Sequence, residues 1–257
     1  MKDLVVLRTN IHSSYWELNL KSLGDKYHVI VVADERKGNV GFEQFKKIQF
    51  TSDNVMNIGL SVDEDMYWRC GDYALYLADS LGLEYRYLWL VEPDVYLNGI
   101  EFEDFMNKYL DNGEDFLTSY YNTASQEWPW YKYGKVISEG PVYQSFFPLV
   151  RFTKQLIVYL QSERKKLKEK INDECFVANI IVGKKFTINE FYNCSEIKYD
   201  RNSFSFRLPH YVNFIYKKKY DLYHPVMFSL KDFFCHMYNK RSFKRVIKSI
   251  FIKNNKD

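Results

Sequence analysis

"YLWLVEPDVYL", residues 87–97, decides how this chain is read. Five consecutive apolar residues, Tyr87 to Val91, suit a strand buried on both faces, and such strands belong to the interior of a parallel sheet. The run then breaks at Glu92-Pro93-Asp94. Side chains alternate along an extended chain, so Glu92 and Asp94 project to the same side. Pro93 gives a neighbouring strand no backbone donor and holds Glu92 extended, so pairing weakens and the strand end opens. Ligands of parallel sheets sit at the carboxyl ends of strands, where the strand order reverses. Two carboxylates there repel unless a proton or cation lies between them. A divalent metal with free coordination positions, bound in turn by a diphosphate, meets that need. The plainer alternative is a strand-end turn in which Asp94 caps backbone groups and Glu92 meets an Arg or Lys.

Working back from this run, "MYWRCGDYALYLADSLG" (66–82) has Ala74, Leu77, Ala78 and Leu81 on one apolar stripe and predicts a helix ended by Gly82. Arg69, Asp72 and Tyr73 fall on its opposite face. Further back, "DLVVLRTN" and "YHVIVVADE" read as strands, the second stopping at Asp34. "SSYWELNLKSLG" between them reads as a helix with Gly24 as its C′ residue. Strand, helix and strand within about thirty residues form a βαβ unit and imply a parallel sheet. Forward of the central run, "DFLTSYY" predicts another strand of the sheet. "VRFTKQLIVYLQSERKKLKEK" predicts a long helix, apolar first and solvated later, and "NDECFVANIIVG" a shorter one. Residues Tyr121 to Arg151 carry little regular pattern but hold Trp128, Pro129, Trp130, Pro141 and Pro148, the profile of a binding loop or lid. No internal repeat, low-complexity block or dividing linker is visible.

The chain has 257 residues, 46% of them hydrophobic and 18% aromatic, enough for one large domain and too apolar for global disorder. The aromatic excess leaves rings to line a cleft. "MKDLVVLRTN" does not read as an export signal, and no run approaches the roughly 20 apolar residues of a membrane span. The four cysteines are dispersed, as reduced thiols of a cytoplasmic protein would be, and they make no zinc pattern. From Asn239 onward seven Lys or Arg stand against one Asp, a local +6. With +3 in total, the remainder carries −3, which argues against an extended nucleic-acid footprint.

The βαβ start, "LVVLRT" through "VIVVAD", and an acidic motif closing a buried strand that follows a helix, "YLWLVEPDV", resemble glycosyltransferases of the GT-A fold. Among these the chain resembles especially small bacterial enzymes that build surface polysaccharide, capsule or lipopolysaccharide. A late histidine often completes their metal site, and "LYHPV" offers His224. The first acid is Glu where that family favours Asp. The resemblance spans residues 4 to 226. It implies an α/β Rossmann-like catalytic domain over 1–228, with a mostly parallel central sheet flanked by helices, and a basic helical extension over 229–257. It also implies Mn²⁺ or Mg²⁺ held by Asp94, Glu92 and His224, with a nucleotide-sugar donor, a UDP-sugar foremost.

Under that resemblance Arg8 and Thr9, ending the first strand, touch the nucleotide, and Asp34 accepts from base or ribose. Strand ends are commonly polar without such a role. Asp72 holds the ribose or sugar and Arg69 neutralises phosphate, unless the two simply form a surface ion pair. Gly71 costs roughly 1 kcal/mol in a helix interior, so something approaches closely there. An inverting transfer needs a base for the acceptor hydroxyl, and Asp173 and Glu174 are both candidates. Acids in a first helical turn behind an Asn172 N-cap also serve the helix dipole alone. Trp128, Trp130 and Tyr131 form a platform for the acceptor sugar or, equally, hold down an irregular loop.

In the tail, Phe243, Val246, Ile247 and Ile250 form a stripe ringed by Lys244, Arg245 and Lys248. Such a helix either lies on an anionic membrane, suiting a lipid-linked acceptor at the inner face of the cytoplasmic membrane, or docks on the domain. Two other functions compete. A nucleotidyltransferase normally has a Gly-rich loop after the first strand, and "RTNIHSSYW" has no glycine. A non-catalytic membrane or nucleic-acid binder would use the tail alone.

Overall fold

The apolar, β-branched segments at the start of the chain become neighbouring parallel strands. A computed structural model describes residues 1–167, 171–206, 208–215 and 219–239. Strand β1 (Leu4–Thr9) pairs in parallel with β2 (His28–Ala33), which pairs in parallel with β3 (Lys46–Gln49). On its other side β1 pairs in parallel with β4 (Tyr87–Val91), all five of whose residues are buried. The helix α1 (Ser14–Leu23) makes the first crossover. The Ser13 hydroxyl accepts from the Trp16 N–H at its start, and Gly24 at φ 52° closes it.

Beyond β4 the sheet takes one strand of opposite direction. Leu149–Thr153 runs antiparallel both to β4 and to Phe116–Thr118, and Ile188–Glu190 pairs in parallel with Phe116–Thr118 at the edge. The order is therefore Ile188–Glu190, Phe116–Thr118, Leu149–Thr153, β4, β1, β2, β3. This is the expected α/β class, with a mostly parallel central sheet flanked by helices.

Three sequence expectations change. Val150–Thr153 are strand, and the helix begins only at Lys154 and ends at Lys166, with the Thr153 hydroxyl accepting from the Leu156 N–H. Pairing on both edges overrides the helical pattern that runs on from Lys154. Arg151 stays fully buried on this strand because its guanidinium donates to the carbonyls of Tyr109 and Glu114 and to Asn112, and lies 3.8 Å from the Tyr87 ring centre. With α2 at Ser52–Asn57, the helix predicted over 66–82 is two helices, α3 (Met66–Arg69) and α4 (Tyr73–Asp79), broken at Cys70–Asp72. Finally, Tyr121 to Arg151 is not structureless. Tyr121–Thr123 and Tyr143–Ser145 pair antiparallel around the helix Tyr131–Ile137.

The chain packs as two compact units. One, Met1–Pro93 with Tyr109–Cys194, holds the seven-stranded sheet and a core that includes Val6, Val32, Leu88, Leu90, Val150, Phe152 and Phe176. The other comprises Asp94–Lys108 and the chain from Ser195. In it Tyr96–Leu97 pairs antiparallel with Leu222–Tyr223, and His210–Tyr211 pairs in parallel with Val226–Met227. Its helix Leu230–Asn239 packs Phe233 and Met237 against Leu208, Tyr211 and Met227. The chain passes from one unit to the other after Pro93, after Lys108 and after Cys194. The tail stripe from Phe243 to Ile250 lies outside the described residues. Among those described, no helix is long and apolar enough to cross a membrane.

Candidate functional site

Strands β1, β2 and β3 progress outward in one direction and β4 lies on the other side of β1, so the order reverses between β1 and β4. A sheet of this kind opens a crevice at the carboxyl ends of those two strands. Arg8, near the end of β1, and Glu92, directly after β4, meet there: Arg8 Nη2 donates to Glu92 Oε1 at 2.6 Å, with the side chains 17% and 19% exposed. Glu92 thus has the basic partner that the plainer reading of E-P-D gave it. The other guanidinium nitrogen, Nη1, stands 3.7 Å from Asp173 Oδ2.

Asp173 begins the helix Asp173–Ile180, N-capped by Asn172 as the sequence predicts. Its side chain is only 6% exposed. Oδ2 accepts the Gly71 N–H at 2.9 Å, and Oδ1 accepts from the Asn172 amide and the Glu174 N–H, each at 2.8 Å. Burial pushes this carboxyl up to about 7, reinforced by the Asp72 and Glu92 charges and opposed by Arg8 and the Glu174 N–H. A buried carboxyl held up near neutrality beside an arginine has the proton affinity that transfer at physiological pH requires. Glu174 is half-buried beside it, and its carbonyl accepts from the Ser145 hydroxyl.

Gly71 is where the close approach occurs. A Cβ on it would lie 1.7 Å from Arg8 Nη1 and 2.3 Å from Asp173 Oδ2, so only a glycine lets both groups lie against the backbone. The next residue departs from its predicted place. Asp72 is buried and makes a two-point ion pair with Arg164, Nε to Oδ2 and Nη2 to Oδ1 both at 2.8 Å, and Oδ2 also accepts from the Tyr76 hydroxyl. Arg69 stays nearer the surface and donates to Asp65 at 2.8 Å. Because the helix breaks between them, Arg69 and Asp72 share no face and form no pair. The sequence carries one overlooked signal for this: Arg164 continues the stripe of Leu156, Ile157 and Leu160, a charged residue at a buried helical position.

The remaining strand-end residues are engaged locally. The Thr9 hydroxyl donates to the Ile11 carbonyl and accepts the Ile11 N–H. Asp34 receives two bonds from the Arg36 guanidinium, which holds its carboxyl below the usual range, and that guanidinium lies 3.2 Å from the Tyr67 ring centre. Trp128 and Trp130 are half-buried and pack on the core, and Tyr131 opens the following helix. Trp130 also meets a ring that the sequence reading passed over, Trp68, at 5.5 Å.

In the other unit, His224 Nε2 stands 3.3 Å from Asp94 Oδ1, while its Nδ1 is 3.0 Å from the Ser205 carbonyl. A carbonyl only accepts, so Nδ1 carries a proton. A neutral ring then turns the Nε2 lone pair toward a carboxylate oxygen, and two acceptors at that distance repel unless a proton or a cation joins them. An imidazole oriented by a backbone carbonyl and facing a carboxylate is a donor set that fits a divalent metal. Among the described residues, Asp94 and His224, with Glu92 two positions before Asp94 in the chain, supply the donors for such an ion.

No protein-family model and no curated protein matches the sequence. Solved structures similar to it include the galactosyltransferase LgtC in complex with donor and acceptor sugar analogs, at 11% identity and TM-score 0.43, covering 82% of this chain and 76% of that one. Core-mannan synthase A from Aspergillus fumigatus in its Mn/GDP form matches at 12% identity and TM-score 0.40, covering 74% of this chain and 73% of that one. 4-Diphosphocytidyl-2C-methyl-D-erythritol synthase from Anaerococcus prevotii DSM 20548 matches at 10% identity and TM-score 0.42, covering 74% and 87%.

Proposed function

We propose that the chain is a metal-dependent glycosyltransferase that moves a sugar from a nucleoside-diphosphate donor to a hydroxyl of a glycan or lipid-linked acceptor. The observation that carries this reading is Asp173, a buried carboxyl near neutrality held against Arg8 and Gly71 where the strand order reverses. In this reading the nucleotide lies across the carboxyl ends of β1 and β2, at Arg8, Thr9 and Asp34. Asp94 and His224, with Glu92, hold the cation, which when bound neutralises the departing diphosphate. Asp173 accepts the proton of the attacking hydroxyl and is better placed for this than Glu174, because its charged form is raised in energy by burial. Arg8 bonds Glu92, lies beside Asp173 and in this reading faces the diphosphate. Trp128, Trp130 and Tyr131 serve the acceptor.

The family resemblance in the sequence supports a UDP-sugar as donor and bacterial capsule or lipopolysaccharide as the product. It also supports a cytoplasmic enzyme whose basic residues after Asn239 meet the inner membrane face. Thermal melting tests the donor and metal together. At a hundredfold excess over Kd, a ligand specific to the folded state contributes about 2.7 kcal/mol, roughly 5 to 10 °C for a chain of this length. A nucleotide sugar with Mn²⁺ is expected to give that rise, and Asp94→Asn to remove it. No rise with any nucleotide sugar, or formation of pyrophosphate from a nucleoside triphosphate, overturns the reading, the second in favour of a nucleotidyltransferase.

A further inference from the structure

Trp68 is 66% exposed although it sits in α3 beside Met66, which is fully buried. An indole is among the costliest side chains to leave in water. Its ring centre lies 5.5 Å from that of Trp130 and its plane is tilted by 52°, so the two indoles form a corner rather than a closed stack. Both are fixed from behind. The N–H groups of Trp68 and Arg69 bond to the Asp65 carbonyl, and the Arg69 guanidinium, bonded to Asp65, lies 5.9 Å from the Trp130 ring centre. The Trp130 carbonyl accepts from the Cys175 thiol and from the N–H groups of Tyr133 and Gly134.

The corner also stands on the segments that build the candidate site. Trp68 precedes Gly71 by three residues, and Gly71 donates to Asp173. Cys175, which anchors Trp130, follows Asp173 by two.

We infer that Trp68 and Trp130 together form a carbohydrate corner that seats a pyranose ring of the acceptor, an inference that rests on the glycosyltransferase reading. A pyranose presents a face of C–H groups that packs on an indole, and its hydroxyls stay in water or reach the indole N–H. A tilted pair with Trp68 exposed and Trp130 half-buried suits one sugar ring lying on Trp68 with its edge against Trp130. Asp173, bonded to Gly71 three residues after Trp68, serves the attacking hydroxyl in that reading, which assigns this corner to the acceptor side of the reaction.

The test compares the full-length wild type with Trp68→Ala and Trp68→Phe, each first checked for an unshifted melting temperature. Binding is measured on a printed panel of oligosaccharides spanning common hexoses, hexosamines and deoxyhexoses, and kinetics with the acceptor that panel identifies. Trp68→Ala is expected to weaken glycan binding and raise the acceptor KM about tenfold, with Trp68→Phe recovering part of the loss. The change should fall on the acceptor KM rather than the donor KM. If the wild type binds no glycan on the panel, or Trp68→Ala binds as tightly as the wild type, the corner is refuted. A rise confined to the donor KM refutes it too. Glycan binding that depends on Trp68 in a protein with no activity on nucleotide sugars supports the corner while removing the transferase reading, so the two failures are distinguishable.

Discussion

Replacing Asp72 by Ala removes one half of a buried ion pair and leaves the other half without a counter-charge. The Arg164 side chain is 2% exposed and that of Asp72 not at all, and the two bonds joining them are both 2.8 Å. Arg164 packs on the Phe176 ring at 4.0 Å, so water has no ready access to a stranded guanidinium. The Asp72 charge also holds Arg164 above its ordinary pKa, against burial, which pulls it down. Breaking a pair of this kind costs about 3–5 kcal/mol, whereas replacing both partners by apolar groups of similar volume is often neutral. For a chain of this length 1 kcal/mol corresponds to about 2–4 °C, so Asp72→Ala should melt roughly 6–20 °C lower. The double variant Asp72→Leu with Arg164→Met should recover most of that loss. Urea unfolding of wild type, Asp72→Leu, Arg164→Met and the double closes a cycle whose coupling energy should be about 3 kcal/mol. A loss below about 1 kcal/mol in Asp72→Ala, or strictly additive losses, would show that the pair does not hold the α3–α4 junction as described.

Three further outcomes follow from the same geometry. Gly71→Ala puts a methyl at half the 3.4 Å where ordinary contact begins, so it should displace Arg8 from Glu92, destabilise by about 1–3 kcal/mol and cut turnover about a hundredfold; unchanged melting and turnover would contradict the packing. The Asp173 carboxyl is raised when folded, so its contribution to stability is full below about pH 4 and is lost as pH rises through about 7. Asp173→Asn should therefore abolish a decline on the order of 4 kcal/mol between those limits, and parallel stability curves for the two proteins would refute the burial argument. His224→Ala should weaken Mn²⁺ binding measured by titration calorimetry at least tenfold, and equal affinity would remove His224 from the metal site.

Local patterns made the βαβ start legible: β-branched runs, a Ser13 cap and a Gly24 stop all belong to neighbouring residues. The E-P-D break after β4 was legible for the same reason, and so was Gly71 as a place of close approach, though the groups approaching it, Arg8 and Asp173, come from 63 residues before and 102 after in the sequence. What the sequence hid depends on distant partners. Val150–Thr153 continues into a helical pattern, and only its two strand neighbours make it extended. Asp72 looks like a surface acid until Arg164, 92 residues away, is brought beside it. The unit from Ser195 is built on strands of two residues, too short for any periodicity to announce. Between Asp173 and Glu174 no pattern chooses, because the difference is burial.

Chromatographic analysis of products from a panel of nucleotide sugars, run with Mn²⁺ and again with chelator, tests the central claim most directly. The account predicts that the wild type releases free nucleoside diphosphate from one donor only when metal is present, that Asp94→Asn and Asp173→Asn each lower that release at least a hundredfold, and that the sugar appears on an acceptor. Release that persists in chelator and in Asp173→Asn, or no nucleoside diphosphate from any donor, would contradict it.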